Sequence, residues 1–220
     1  MRLILFDFDG TLVDSQAHIV GSMEAAFTSQ GLTPPTQAET LSIVGLSLPR
    51  AMAVLSPEGP TDDLVAAYKQ AYGDLRTSHG ERSASPLYPG IMDLLRALHA
   101  EPETLLGLAT GKSRRGLDHV LEVHDIARYF VTRQDADGHP SKPHPSMATT
   151  ALAEAGCERG VMVGDTTFDM DMGRAAGMAT LGVAWGYHPV TRLAEHADVV
   201  VQEVPAIHEA LNEICPETLT

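Results

Sequence analysis

The chain opens on a short apolar run, Leu3 to Phe6, that stops at Asp7-Phe8-Asp9-Gly10. An unbroken apolar run of this length, bounded by turn residues, reads as a strand buried on both faces, as in a parallel sheet. The spacing then changes. Asp14 and Ser15 suit a helix start, Ile19, Met23, Ala26 and Phe27 share one helical face, and Gly31 ends the run. Leu32-Thr33-Pro34-Pro35 breaks the chain, and Thr36 with Glu39 has capping-box spacing for a second short helix closing at Gly45. Ser47 to Arg50 opens a further helix, and Leu64, Val65, Tyr68, Tyr72 and Leu75 mark another that ends before Gly80. No strand pattern interrupts residues 15–83.

From Pro86-Leu87-Tyr88-Pro89-Gly90 onward, helices alternate with short strands. Helices are predicted at Ile91 to His99, Arg114 to Val123 and Pro145 to Ala155, with strands at Thr104 to Ala109, Tyr129 to Thr132, Val161 to Val163, Ala179 to Val183 and Asp198 to Val201. This alternation is the signature of an α/β fold with a doubly wound parallel sheet. The first strand needs neighbours, so it joins the later sheet. The chain therefore divides into an α/β core of residues 1–14 and 84–220 and an inserted all-helical cap of residues 15–83.

Composition narrows the partners. With 15 basic and 29 acidic residues the net charge is −14, which argues against a nucleic-acid partner. A small anion stays compatible, because a local cation cluster outweighs a distant field that salt screens. Cys157 and Cys215 are too few for a disulfide framework and lack metal-ligand spacing, so a reducing, cytoplasmic setting is expected. No run approaches a membrane span, and Asp7 and Asp9 interrupt the apolar start too soon for a signal peptide, so no membrane partner is expected. The expected state is a monomer or homodimer.

The chemistry concentrates where apolar runs end. In an extended segment Asp7 and Asp9 point to one side, and two carboxylates so close need a cation between them or a retained proton. Hard oxygens of this kind suit magnesium. Three later strands end in complementary groups: Thr110-Gly111-Lys112-Ser113 at a helix start, Lys142 in the stiff Ser141-Lys142-Pro143-His144-Pro145, and Gly164-Asp165-Thr166-Thr167-Phe168-Asp169. Taken singly, Thr110 reads as a helix cap, Lys142 as a solvated lysine, and Asp165 and Asp169 as complements to a helix dipole. Taken together they gather at the carboxyl edge of one sheet, where open α/β folds bind ligands.

These motifs resemble the haloacid dehalogenase superfamily, in its phosphatase branch near the phosphoglycolate phosphatases, and the helical insertion is similar to that family's cap of the first type. The resemblance implies a magnesium-dependent phosphatase acting on a small-molecule phosphate monoester. Asp7 would be the nucleophile that forms an aspartyl-phosphate, and Asp9 the acid and base. Magnesium would be held by Asp7, the Asp9 carbonyl and Asp165, with Asp169 behind them, and the phosphoryl oxygens would be bound by Thr110, Gly111 and Lys142. A sugar phosphomutase of the same family is the enzymatic alternative, and a receiver-like phosphate-binding module the non-catalytic one. Two motif-like stretches are set aside: Gly107 to Ser113 is a residue short of a P-loop, and Asp135-Ala136-Asp137-Gly138 lacks the later Glu of a calcium loop. Arg50 is the expected cap contact to a second anionic group of the substrate, and the breaks near Ser15 and Ser83 are the expected hinges.

Overall fold

In a computed structural model, residues 1–79 and 85–216 are described. They form a six-stranded, wholly parallel sheet of order β3-β2-β1-β4-β5-β6. The strands are β1 (Arg2–Phe6), β2 (Thr104–Ala109), β3 (Phe130–Gln134), β4 (Gly160–Gly164), β5 (Ala179–Val183) and β6 (Val199–Val201). The first helices run consecutively, α1 (Gln16–Ser29), α2 (Gln37–Ser42), α3 (Leu48–Leu55) and α4 (Thr61–His79). Those that alternate with the later strands are α5 (Ile91–His99), α6 (Arg114–His124), α7 (Ser146–Ala155), α8 (Thr167–Ala175), α9 (Val190–His196) and α10 (Ala206–Ile214).

Every residue of β1 is buried, because helices cover both faces of the sheet. Ile4 and Phe6 enter a cluster with Leu95 of α5, Leu117 of α6 and Leu211 of α10. Leu3 and Leu5 enter a second cluster with Met147 and Ala151 of α7 and Met172 of α8. The side-chain period of two thus divides one apolar run between two cores. Arg2 is also fully buried; its guanidinium donates to Thr104 Oγ1 and to the Leu211 and Cys215 carbonyls, and pairs with Glu101 at 3.0 Å.

Helices α1 to α4 keep a core of their own, built on Met23, Phe27, Ile43, Ala51, Met52 and Leu64. The expected boundary and hinge at residues 83–84 lie outside the described residues. Ser15, the other expected hinge, is buried and hydrogen-bonded. The capping box of Thr36 and Glu39 is formed, the Glu39 amide donating to Thr36 Oγ1 and the Thr36 amide to the Glu39 carboxylate.

Several boundaries differ from the pattern-based reading. Tyr129 belongs to a 3-10 turn, Ala127–Tyr129, and the strand begins at Phe130, because the Tyr129 amide is drawn back to the Ile126 carbonyl. Asp198 lies outside β6 and instead turns its carboxylate to the Thr180 amide and hydroxyl. Helix α10 carries Ile207, Ala210 and Leu211 on one buried face, a spacing present in the sequence but crowded by flanking prolines.

Candidate active site

Strand register brings the polar residues together. Phe6 stands opposite Leu108 of β2 on one side and Val163 of β4 on the other. The residues that follow therefore leave the sheet at the same level: Asp7 after β1, Thr110 after β2, Asp165 after β4. The chain runs outward from β1 through β2 to β3, then returns to β4 on the opposite flank. The crevice between β1 and β4 is thus the topological switch point, where open α/β sheets place their ligands.

Asp7 is almost wholly buried, and its Oδ1 accepts a hydrogen bond from Lys142 Nζ at 2.6 Å. The same ammonium donates to Asp169 Oδ1 at 2.6 Å. Lys142 is 1% exposed, so it is no solvated lysine; its charge lies between two carboxylates. Burial opposes that charge, but Asp169 and Asp7 outweigh the penalty and hold the Lys142 pKa above the ordinary lysine value. Asp169 also accepts at Oδ2 from the amide and hydroxyl of Thr166, the N-cap of α8, as the third residue of a capping box. Its structural and its electrostatic parts are both filled.

Asp165 completes a group of three. Its Oδ1 accepts from the Thr11 hydroxyl at 3.0 Å and its Oδ2 from the Tyr187 amide at 2.8 Å. Ligand oxygens of Asp7, Asp165 and Asp169 lie within 4.8 Å of one another. Burial, followed by the neighbouring Asp7 and Asp169, raises the Asp165 pKa well above the ordinary aspartate value. Burial likewise pushes Asp7 up to about 7, with Lys142 pulling down, Asp169 adding to the rise and the Phe8 amide pulling down slightly. No hydrogen bond from a described residue satisfies Asp7 Oδ2, although it is buried. A buried carboxylate oxygen without a partner, beside two further carboxylates, fits a hard divalent cation. The backbone is shaped around this cluster. Gly10 has φ +87°, and a Cβ there would lie 2.3 Å from Asp165 Oδ2.

Asp9 is supported separately. Its Oδ1 accepts from Ser15 Oγ at 2.5 Å, and its Oδ2 pairs with Lys112 Nζ at 3.0 Å. Each acid of the first motif therefore has its own lysine. Ser15 gives its hydroxyl to Asp9 and makes no side-chain cap for α1; the Gln16 amide donates to Asp14 instead. Lys112 also lies over the Tyr72 ring of α4 at 5.2 Å, a cation–π contact between core and insertion. Burial works against the Lys112 charge, but Asp9 more than compensates and raises its pKa.

Thr110 is buried, and its Oγ1 accepts from the Lys112 amide at 3.2 Å. The cap of α6 is Ser113, whose hydroxyl accepts from the Gly116 amide. Thr110 is thus not a helix cap. Gly111 lies against the insertion: a Cβ there would fall 2.5 Å from the Leu46 carbonyl oxygen and 2.6 Å from that of Gly45. Asp7, Asp9, Thr110, Gly111 and Lys112 all line one cavity between core and insertion.

Arg50 is not brought into this group. Helix α3 turns Ala51 and Met52 into the insertion's core, which leaves Arg50 exposed, and it does not line the cavity although Pro49 and Ala51 do. Arg50, expected as a contact to a second anionic group of the substrate, thus stands on the outer side of α3, apart from the acids and Lys112. Ser15, Thr11 and the pairing of Lys112 with Asp9 escaped sequence reasoning. Only the proximity of Thr11 and Ser15 to the first acids, and of Lys112 to Thr110, could have hinted at them. The turn at Asp135 to Gly138 is an ordinary one, Asp135 Oδ1 accepting from the Asp137 amide and Asp135 Oδ2 pairing with Arg114 at 2.6 Å.

A doubly wound core with carboxylates and a buried lysine at its switch point, and a helical insertion facing them, defines a class of α/β hydrolytic enzymes. Residues 4–183 match the family described as haloacid dehalogenase-like hydrolase, and the chain belongs to that family. "Probable phosphatase IndB" of Dickeya dadantii is 32% identical over 205 residues, covering 90% of this chain and 88% of that protein. "Phosphoglycolate phosphatase" of Agrobacterium fabrum is 31% identical over 218 residues, covering 96% and 92%. A crystal structure of a hydrolase from Pseudomonas syringae is similar in fold, with a TM-score of 0.84 at 22% identity and coverage of 97% and 99%. No helix among the described residues is long and apolar enough to cross a membrane.

Proposed function

We propose that this chain is a magnesium-dependent phosphatase that hydrolyses a small-molecule phosphate monoester through an aspartyl-phosphate on Asp7. The observation that carries the reading is the asymmetry of Asp7, a buried carboxylate with one oxygen held by Lys142 and the other unpartnered. Lys142 fixes the carboxylate's orientation without using both oxygens. One Asp7 oxygen attacks phosphorus while the ester P–O bond breaks. Asp9 lies on the cavity wall beside it and, in its protonated form, gives that proton to the departing alkoxide, leaving the carboxylate that Ser15 and Lys112 hold. In the second step Asp9 takes a proton from water as the water oxygen attacks phosphorus, and the bond from phosphorus to Asp7 breaks to release orthophosphate.

Asp7, Asp165 and the Asp9 carbonyl would hold the cation, with Asp169 behind them holding Lys142, and Thr110, Gly111 and Lys142 would face the phosphoryl oxygens. When bound, magnesium neutralises charge on those oxygens and favours the ionised form of Asp7. Ser15 and Lys112 hold the Asp9 carboxylate from its two oxygens, which leaves it oriented before substrate arrives.

Orthophosphate release from p-nitrophenyl phosphate and phosphoglycolate tests this, with magnesium and with a chelator, for the wild type and for Asp7→Asn. Turnover by the wild type with magnesium, loss of turnover with chelator or in the variant, and a hydroxylamine-trapped acyl phosphate on Asp7 are expected. Wild-type inactivity on every monoester tried, or full activity of Asp7→Asn, overturns the reading.

A further inference from the structure

The cavity between core and insertion has a volume of about 830 Å³. At about 30 Å³ per non-hydrogen atom, the share of a molecule in liquid water, phosphoglycolate with about nine such atoms fills roughly a third of it. The volume does not come from an insertion swung away from the core. The Ser47 amide donates to Ser141 Oγ at 2.9 Å, and Lys112 already reaches the Tyr72 ring. His188 Nδ1 accepts from the Thr167 amide, which leaves Nε2–H to donate to the Ser42 carbonyl at 3.2 Å. With Gly111 in contact with the Gly45 and Leu46 carbonyls, there is little room for further closure.

The walls have two characters. Ile19, Met23, Val44 and Leu48 give an apolar surface, joined by the Tyr68 and Tyr72 rings, whose centroids are 5.9 Å apart. Lys69 and Arg76 of α4 and Arg115 of α6 bring positive charge from both sides of the cavity. None of the three has an ion-pair partner among the described residues, whereas the wall carboxylate of Asp137 accepts from the Arg114 amide. In a chain of net charge −14, this is a local reversal of sign. Neither the spare volume nor the surplus cations are needed for the phosphoryl step.

We propose that the alcohol part of the substrate is an extended, largely apolar group of about ten to twenty non-hydrogen atoms, ending in a second anion such as a carboxylate that Arg76 and Arg115 receive. This rests on the phosphatase reading above and names the substrate class for it. The apolar body lies along the aliphatic and tyrosyl wall. The two guanidiniums, from opposite walls, pair with the terminal carboxylate.

The test is kcat/KM for two matched series, ω-carboxyalkyl phosphates from phosphoglycolate up to about six carbons or more, and the corresponding ω-hydroxyalkyl phosphates. Both series have alkanol leaving groups, so chain length and terminal charge are read separately. We expect kcat/KM to rise by about tenfold or more with chain length, and the carboxylate-to-hydroxyl ratio at the long end to reach about tenfold. In R76Q and R115Q that ratio collapses towards one, and Ala66→Trp, which narrows the cavity from α4, reverses the chain-length trend. Turnover of p-nitrophenyl phosphate by each variant shows that it is folded. A preference for phosphoglycolate over every longer member, or a ratio that both arginine variants leave unchanged, overturns the proposal while the phosphatase reading stands. Absence of hydrolysis of any phosphate ester by the wild type removes both.

Discussion

Replacing Asp7 by Asn should abolish turnover and at the same time stabilise the metal-free protein at neutral and alkaline pH. Burial holds the Asp7 pKa near 7, against an ordinary value of 3.8. The folded state therefore binds this proton more tightly than the unfolded chain does, and its contribution to stability is fully present below about pH 4. It is lost progressively as pH rises to about 7 and is constant above that. A shift of about three units corresponds to about 4 kcal/mol at 1.36 kcal/mol per unit. Asn resembles the neutral acid in shape and leaves Lys142 its bond to Asp169. About 4 kcal/mol is thus the upper bound on the gain at pH 8, and roughly a third of it is already present at pH 5.

The assay is urea unfolding of both proteins in the presence of a chelator at pH 5 and pH 8. The difference in unfolding free energy between Asp7→Asn and wild type should grow by about 2–3 kcal/mol between the two pH values. Use of the difference cancels the titration of the many other acids. Magnesium should stabilise the wild type at pH 8 and the variant far less, because the unpartnered Oδ2 is then replaced. Parallel pH profiles for the two proteins, or a variant less stable than wild type at pH 8, would refute the account of Asp7 as an ionised carboxylate whose burial Lys142 offsets only in part.

Lys142→Met removes the ammonium between Asp7 and Asp169 and leaves two buried carboxylates facing each other; a loss of about 3–5 kcal/mol in urea unfolding at pH 8 is expected, with no measurable turnover. Ser15→Ala takes one of two supports from Asp9, so kcat should fall by about tenfold with KM little changed, read in steady-state kinetics on an alkyl phosphate such as phosphoglycolate. Gly111→Ala puts a methyl group 2.5 Å from the Leu46 carbonyl oxygen and must push the insertion off the core, at a cost of about 1–3 kcal/mol. A fall in kcat/KM together with a larger radius of gyration by small-angle scattering is the expected result.

Periodicity made the sheet and the helical insertion legible because the two use different repeats. The apolar runs of β1, β2 and β4 are buried on both faces and carry no alternation to confuse them with surface strands. Order along the chain then placed Asp7, Thr110 and Asp165 at strand ends, where parallel register aligns them, and Lys142 in the loop that follows β3. What the sequence hid was partnership across space. Lys112 follows Thr110 and Gly111 in a stretch that read as a helix start. Its pairing with Asp9 and contact with Tyr72 depend on how the insertion packs, and no local pattern encodes that. The position of Arg50 was hidden in the same way: its exposure follows from Ala51 and Met52 filling the insertion's core.

The division of lysines between the two acids bears on how the site is assembled. Lys142 is held wholly within the core, by Asp7 after β1 and Asp169 on α8, so the hydrogen bonds that hold the proposed nucleophile come from the core alone. Lys112 is different, since the same ammonium meets Asp9 of the core and the ring of Tyr72 on α4. Displacement of the insertion exposes that ammonium to water, where a bond to a carboxylate is weaker than in the closed cavity. Asp9 would then rely on Ser15, which sits at the foot of α1 and is itself within 3.3 Å of the Tyr187 hydroxyl. Asp9, the proposed acid and base, is therefore oriented by contacts at the junction of the two parts, while Asp7, the proposed nucleophile, is not. Loosening the insertion should impair leaving-group protonation before it impairs attack, so activated esters such as p-nitrophenyl phosphate should suffer less than alkyl phosphates in Gly111→Ala.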